Sequence, residues 1–136
     1  MTISEFISRQ LPERQKILNV MHEIIIKTDQ GIKAKVEPMM GKDMIVYNAP
    51  GTFKYGLSSV KKYMSLHVMP IYVSATLSSE YMNFFKTANF QKGCINFKNE
   101  EEMPLNILQH LIQDCSKIDL LKIKEDYIKS KKSSPK

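Results

Sequence analysis

The chain has no tryptophan, only five glycines and only two cysteines among its 136 residues. Each shortage removes a class of function. The glycines are scattered and form neither GxGxxG nor a P-loop, so no backbone cradle for a nucleotide phosphate is expected. Cys94 and Cys115 stand far apart and in no CxxC pair. That fits reduced thiols in a cytoplasmic protein better than a disulfide framework. Neither has a histidine or base beside it in sequence to stabilise a thiolate, so both read as small packing residues. No apolar run approaches the ~20 residues that cross a bilayer. The start, MTISEFISRQLPER, lacks the basic segment and apolar stretch of a secretory signal. Catalytic signatures are missing as well. HEIII, beginning at His22, fails the HExxH zinc pattern at its fifth residue, Ile26, and there is no GxSxG elbow. His22, His67 and His110 fall on three different elements without paired spacing, so no closed transition-metal site is expected.

What is present is an ordinary globular composition, 43% apolar and 25% charged, at a length that supports one hydrophobic core. The net charge is +6, but it is unevenly placed. The last eight residues, KSKKSSPK, hold four lysines and no acid, and without them sixteen basic residues face fourteen acidic ones. A single domain over residues 1–128 with a basic, disordered tail over 129–136 is therefore expected, and nucleic acid is not the expected partner.

Periodicity divides the chain. Residues 2–10 read as a short helix, and a second begins at Pro12 and stops before Gly31. Ile17, Met21, Ile24 and Thr28 share one face of it, with Val20 and Ile25 flanking. Its Glu5, Glu13, Glu23 and Asp29, counted with those of the first helix, interleave with Arg9, Arg14, Lys16 and Lys27 as a salt-bridged solvent face. Strands follow at KAKVEPMMG, DMIVYN and TFKYGLS, the last two joined by Ala49-Pro50-Gly51-Thr52, which suits a type II turn. A fourth strand lies in KKYMSLHVMP and a fifth in KGCINF, with a helix over residues 77–88 between them. Two helices close the chain, one from Pro104 with a Leu105, Leu108, Leu111, Ile112, Cys115 stripe, and one over residues 117–131. The fold class expected is α+β, a five-stranded, mainly antiparallel curved sheet with N- and C-terminal helices packed on it.

Alternation in the fourth strand sends Met64, Leu66 and Val68 to the core and Tyr63, Ser65 and His67 to the outer face. With Lys62 at the strand's start, and Tyr47 and Tyr55 of the neighbouring hairpin if register aligns them, these residues make an aromatic and polar patch whose composition fits a plain solvated sheet face or a site for a small ligand or a protein partner. A second copy of the chain is included among such partners. Ser65 and His67 are two residues apart, which puts their Cβ atoms roughly 6–7 Å from each other, too far for a catalytic hydrogen bond. An enzyme using His67 as a base is the weaker alternative, and no cofactor is expected. The nine methionines, Met39, Met40, Met44, Met64 and Met69 among them in the strands, read mainly as core filling, with an adaptable groove as the alternative.

The sequence from about Ile17 to Cys115 resembles the small bacterial domains called YdhG-like. The matching pieces are Glu37, Pro38, Met39, Met40 and Gly41 at a strand end, Val46 and Tyr47, the Lys61–Lys62 pair, then Lys92, Gly93, Ile95 and Phe97, and Pro104 with Leu105. Many members carry histidine directly after the lysine pair, where this chain has Tyr63. The resemblance implies a frataxin-like layout, and it implies iron handling as an alternative function. Glu100, Glu101 and Glu102, the one acidic run, would supply the hard oxygen ligands for iron.

Overall fold

Thr2 starts the first helix with a reciprocal cap: its hydroxyl accepts from the Glu5 N–H, and the Glu5 carboxylate accepts from the Thr2 N–H, both at 3.0 Å. The helix, α1, spans Ile3–Ser8, and α2 runs Pro12–Thr28 with Pro12 at its first turn. The computed structural model describes residues 1–39, 41–85, 88–91 and 93–133. Met40 and Lys92 of the motifs above lie outside the described residues, as do residues 134–136.

Strands β1 (Lys33–Met39), β2 (Lys42–Ala49) and β3 (Thr52–Ser59) follow as a meander. The turn at residues 49–52 forms as expected, with Ala49 paired to Thr52 and Gly51 at φ 75°, a value that suits glycine. Next come β4 (Met64–Val68), the short helix α3 (Met69–Val73) and α4 (Ala75–Met82), then β5 (Asn89–Gln91), β6 (Cys94–Phe97), α5 (Leu105–Ser116) and α6 (Leu120–Ser133). Among the described residues the strands form one open antiparallel sheet in the order β1-β2-β3-β4-β6-β5. The five expected strands are its body. The three-residue β5 extends one edge and is too short and too polar to show alternation in the sequence.

One face of this sheet carries the helices. Ile45, Tyr47, Tyr55, Leu57, Leu66, Val68, Ile95 and Phe97 are fully buried beneath Leu18, Met21 and Ile25 of α2 and Leu108, Leu111, Ile112 and Cys115 of α5. The α2 stripe is turned relative to expectation, with Leu18 and Ile25 sealed and Ile24 and Thr28 half-buried. The chain is thus α+β, with N- and C-terminal helices packed on the sheet. No helix among the described residues is long and apolar enough to cross a membrane.

Three local differences have physical causes. Strand β4 ends at Val68, because Pro70 sits in the first turn of α3, where its missing N–H costs nothing. Helix α4 starts earlier than expected, since the Ser74 hydroxyl accepts from the Leu77 N–H at 3.2 Å, and it tightens into a 3₁₀ turn at Asn83–Phe85. Helix α6 continues to Ser133, so residues 129–133 of the expected tail are helical. Once nucleated, a helix adds a hydrogen bond for each residue fixed, and no proline or glycine lies before 133 to stop it.

Candidate functional site

Strand β3 departs from period two at one point. Tyr47 pairs with Tyr55 but Asn48 pairs with Phe53, leaving Lys54 as the extra residue of a bulge. Lys54 and Tyr55 consequently reach the same partner on the helix side: the Asp29 carboxylate accepts from Lys54 Nζ and from the Tyr55 hydroxyl, each at 2.8 Å. Asp29 and Lys54 are 3% and 4% exposed. The solvent face expected of the early helices holds for Glu23 and Lys27, which pair at 3.1 Å, but not for Asp29. It caps the end of α2, where it also accepts from the Gly31 N–H at 3.3 Å. This ion pair floors a cavity of about 560 Å³ beside Pro50, Lys117 and Leu121, yet its polar groups already satisfy one another.

Beyond the bulge Phe53 lies with the outer face. Gly56, Val46, His67 and Cys94 form one row across β2, β3, β4 and β6. Having no side chain, Gly56 leaves room that neighbours fill: a Cβ there would lie 3.0 Å from the Met44 sulfur and 3.0 Å from the Phe53 ring. Met44 and Val46 point away from the helices and are still fully buried. The outer face is therefore partly closed over by its own side chains.

Cross-strand pairing sets His67 opposite Cys94, and the Cys94 sulfur stands 3.0 Å from His67 Nδ1. His67 Nε2 is buried and has no hydrogen-bond partner among the described residues. A cavity of about 320 Å³ opens beside them, walled by Met39, Phe53, Val68, Met69, Tyr72 and Gly93. Gly93 is required there: its φ is 65°, and a Cβ would lie 2.9 Å from that of Tyr72. Helix α3 thus turns Met69 and Tyr72 back over the strand end, against the backbone bond from Val68 N–H to the Gly93 carbonyl at 2.7 Å.

Burial lowers the pKa of His67, and the charge of Lys42 adds to that. Burial raises that of Cys94, with Lys42 partly opposing. At neutral pH the pair is thus a thiol against a neutral imidazole. With the thiol donating to the Nδ1 lone pair, the ring N–H would sit on Nε2. A protonated thiol is not an activated nucleophile, which needs the thiolate.

The expected site residues separate. His67 lies in the cavity wall, half-buried. Ser65 shares its face but is 5% exposed and donates to the Asn96 side chain. Tyr63 precedes the strand, half-buried, and Lys62 is exposed; neither lines the cavity. Tyr47 and Tyr55 are corrections. The register sets Tyr55 opposite Val68 and Tyr47 opposite Tyr55, the core row, and both are fully buried on the helix side. There Tyr47 bonds His22 Nδ1 at 2.8 Å, its ring edge-on to Tyr55 at 6.4 Å. Burial raises the pKa of both phenols and keeps them protonated. Burial also lowers the pKa of His22 and pushes Cys115 up to about 12.

Glu100 and Glu101 are exposed, and the Glu102 carboxylate accepts from the Lys98 N–H at 2.7 Å, closing the turn that follows β6. Among the described residues no group of three or more His, Cys, Asp or Glu is placed to hold a metal. Sequence reasoning passed over Phe53, Tyr72 and Cys94. For Cys94 a signal existed, since Ile95 and Phe97 are core residues and the residue before them faces the other way. No family model matches this chain, and no curated protein or solved structure matches it either.

Proposed function

We propose that this chain is a non-enzymatic binding domain of the YdhG-like kind, acting in the reducing cytoplasm, and that its site is the outer-face cavity at His67 and Cys94. One observation carries the reading: a buried imidazole nitrogen without a partner among the described residues, His67 Nε2, on a residue that lines an apolar cavity. A buried polar atom left unpaired costs about 1–3 kcal/mol, and a ligand acceptor removes that cost on binding. The cavity, about 320 Å³, falls in the size range of small-ligand sites and has their composition, mostly apolar walls with few polar groups. Both cysteines are free thiols, in keeping with that compartment. A protein partner, or a second copy of the chain, would use the same cavity by inserting a side chain.

The test is a titration with 4-methylpyridine, an apolar ring with one acceptor, followed by amide NMR at pH 7.5. Saturable shifts are expected at Phe53, His67, Tyr72 and Cys94, lost in His67→Ala and retained in Tyr63→Ala. Shifts centred on other residues, or unchanged in His67→Ala, would sink the assignment.

A further inference from the structure

The donors around this cavity have a chemical character of their own. We propose that its ligand is a soft monovalent metal ion, Cu(I), held by Cys94 and His67 with the thioethers of Met39 and Met69. The inference rests on the reading that the outer-face cavity is the binding site.

The first support is the donor set. A thiol and an imidazole nitrogen stand 3.0 Å apart, and two methionines line the same space. Thiolate and thioether ligands favour Cu(I), whereas iron, magnesium and calcium prefer carboxylate and carbonyl oxygens. Among the described residues no carboxylate lines this cavity.

The second support is charge. Binding breaks the Cys94 S–H bond and forms a sulfur–copper bond; the proton leaves to solvent, and copper stays in its +1 state. Thiolate and Cu(I) then sum to zero. A divalent ion would leave a net positive charge in an apolar cavity. Buried uncompensated charge is strongly unfavourable. The site therefore selects for valence as well as for softness.

The third support is geometry. Two-coordinate or trigonal binding asks for few ligands on a shallow floor, and the cross-strand pair provides two of them on adjacent strands. Methionine side chains are unbranched and adapt to the ion without moving the backbone.

The experiment is an anaerobic competition in which the protein takes Cu(I) from its coloured bicinchoninate complex. One equivalent per chain is expected to transfer. Cys94→Ser and His67→Ala are each expected to weaken binding at least about 100-fold, the upper end of what the loss of a mere supporting contact does. Met39→Leu combined with Met69→Leu is expected to weaken it about 10-fold, and Cys115→Ala to leave it unchanged. Should any variant fail to fold, Ag(I) added to the wild-type chain reports the same site by NMR shifts at His67 and Cys94. Undiminished binding in Cys94→Ser, or Zn(II) bound as tightly as Cu(I), overturns the proposal. If copper stays on the chelator while 4-methylpyridine still shifts the cavity residues, the metal assignment falls and the binding site stands. If neither ligand acts there, both fall.

Discussion

Asp29→Ala is expected to destabilise the fold by about 3–5 kcal/mol, the cost of removing one partner of a buried ion pair. Lys54 is 4% exposed and would keep an ammonium without a counter-charge, close to the Tyr55 ring at 5.7 Å. The Tyr55 hydroxyl and the Gly31 N–H would lose their acceptor in the same step. Urea denaturation measures this: at the usual slope of about 1–3 kcal/mol/M, the midpoint should fall by at least about 1 M. Replacing both charges, as Asp29→Asn with Lys54→Met, should recover most of the loss, because the pair's net contribution is far smaller than the cost of breaking it. A single-variant loss under about 1 kcal/mol would show that the pair is solvated. The bulge shapes the outer face as well. The same bulge that delivers Lys54 to Asp29 directs Phe53 to the outer side, where it walls the cavity.

Leu66→Ala should cost about 2–5 kcal/mol, the range for emptying a sealed leucine site. Its neighbour His67, changed to Ala, should cost no more than about 1.5 kcal/mol, the worth of one ordinary hydrogen bond. Leu66 is fully buried in the cluster shared with α2 and α5, whereas His67 faces the opposite side and touches Cys94. Two adjacent residues therefore separate the two faces of β4. Equal losses, or a larger one at His67, would mean that the strand is turned over.

The parts of this arrangement that sequence reasoning reached are those governed by local pattern. Period two in Met64, Leu66 and Val68 oriented β4 correctly, and the Pro50-Gly51 turn fixed the β2–β3 hairpin. The stripe in α5 needed no tertiary information, because Leu108, Leu111 and Ile112 recur at helical spacing. What failed was set by register and by single irregularities. Tyr47 and Tyr55 were expected beside His67. Which face they take depends on how β3 aligns with β4, and residues 60–63 between the strands do not encode that alignment in any pattern. The bulge at Lys54 is one residue wide and breaks alternation without a glycine to mark it. Asp29 looked like one more acid among interleaved charges, since its partner lies 25 residues away in sequence. The His67–Cys94 pair joins strands separated by α3 and α4, so no spacing rule connects it.

The chemistry now attributed to His67 is narrower than a base and more specific than an exposed polar residue. On the two proposals, a neutral ring in contact with a thiol at Nδ1, and without a partner at Nε2 among the described residues, would donate to a neutral acceptor or exchange its thiol contact for a shared metal. The two proposed uses differ in the nitrogen they require: Nε2 for an organic ligand, and Nδ1, beside the sulfur, for the ion.

Long-range ¹H–¹⁵N NMR of the histidine rings, recorded from pH 8 to pH 5 on the wild-type chain and on Cys94→Ala, addresses the pairing directly. In the wild-type protein the expected result is a His67 ring that stays neutral below the ordinary imidazole value of 6.5 and carries its proton on Nε2. Cys94→Ala should shift that tautomer balance. A His67 that titrates at its ordinary value, with both tautomers populated and no response to the loss of Cys94, would contradict the account.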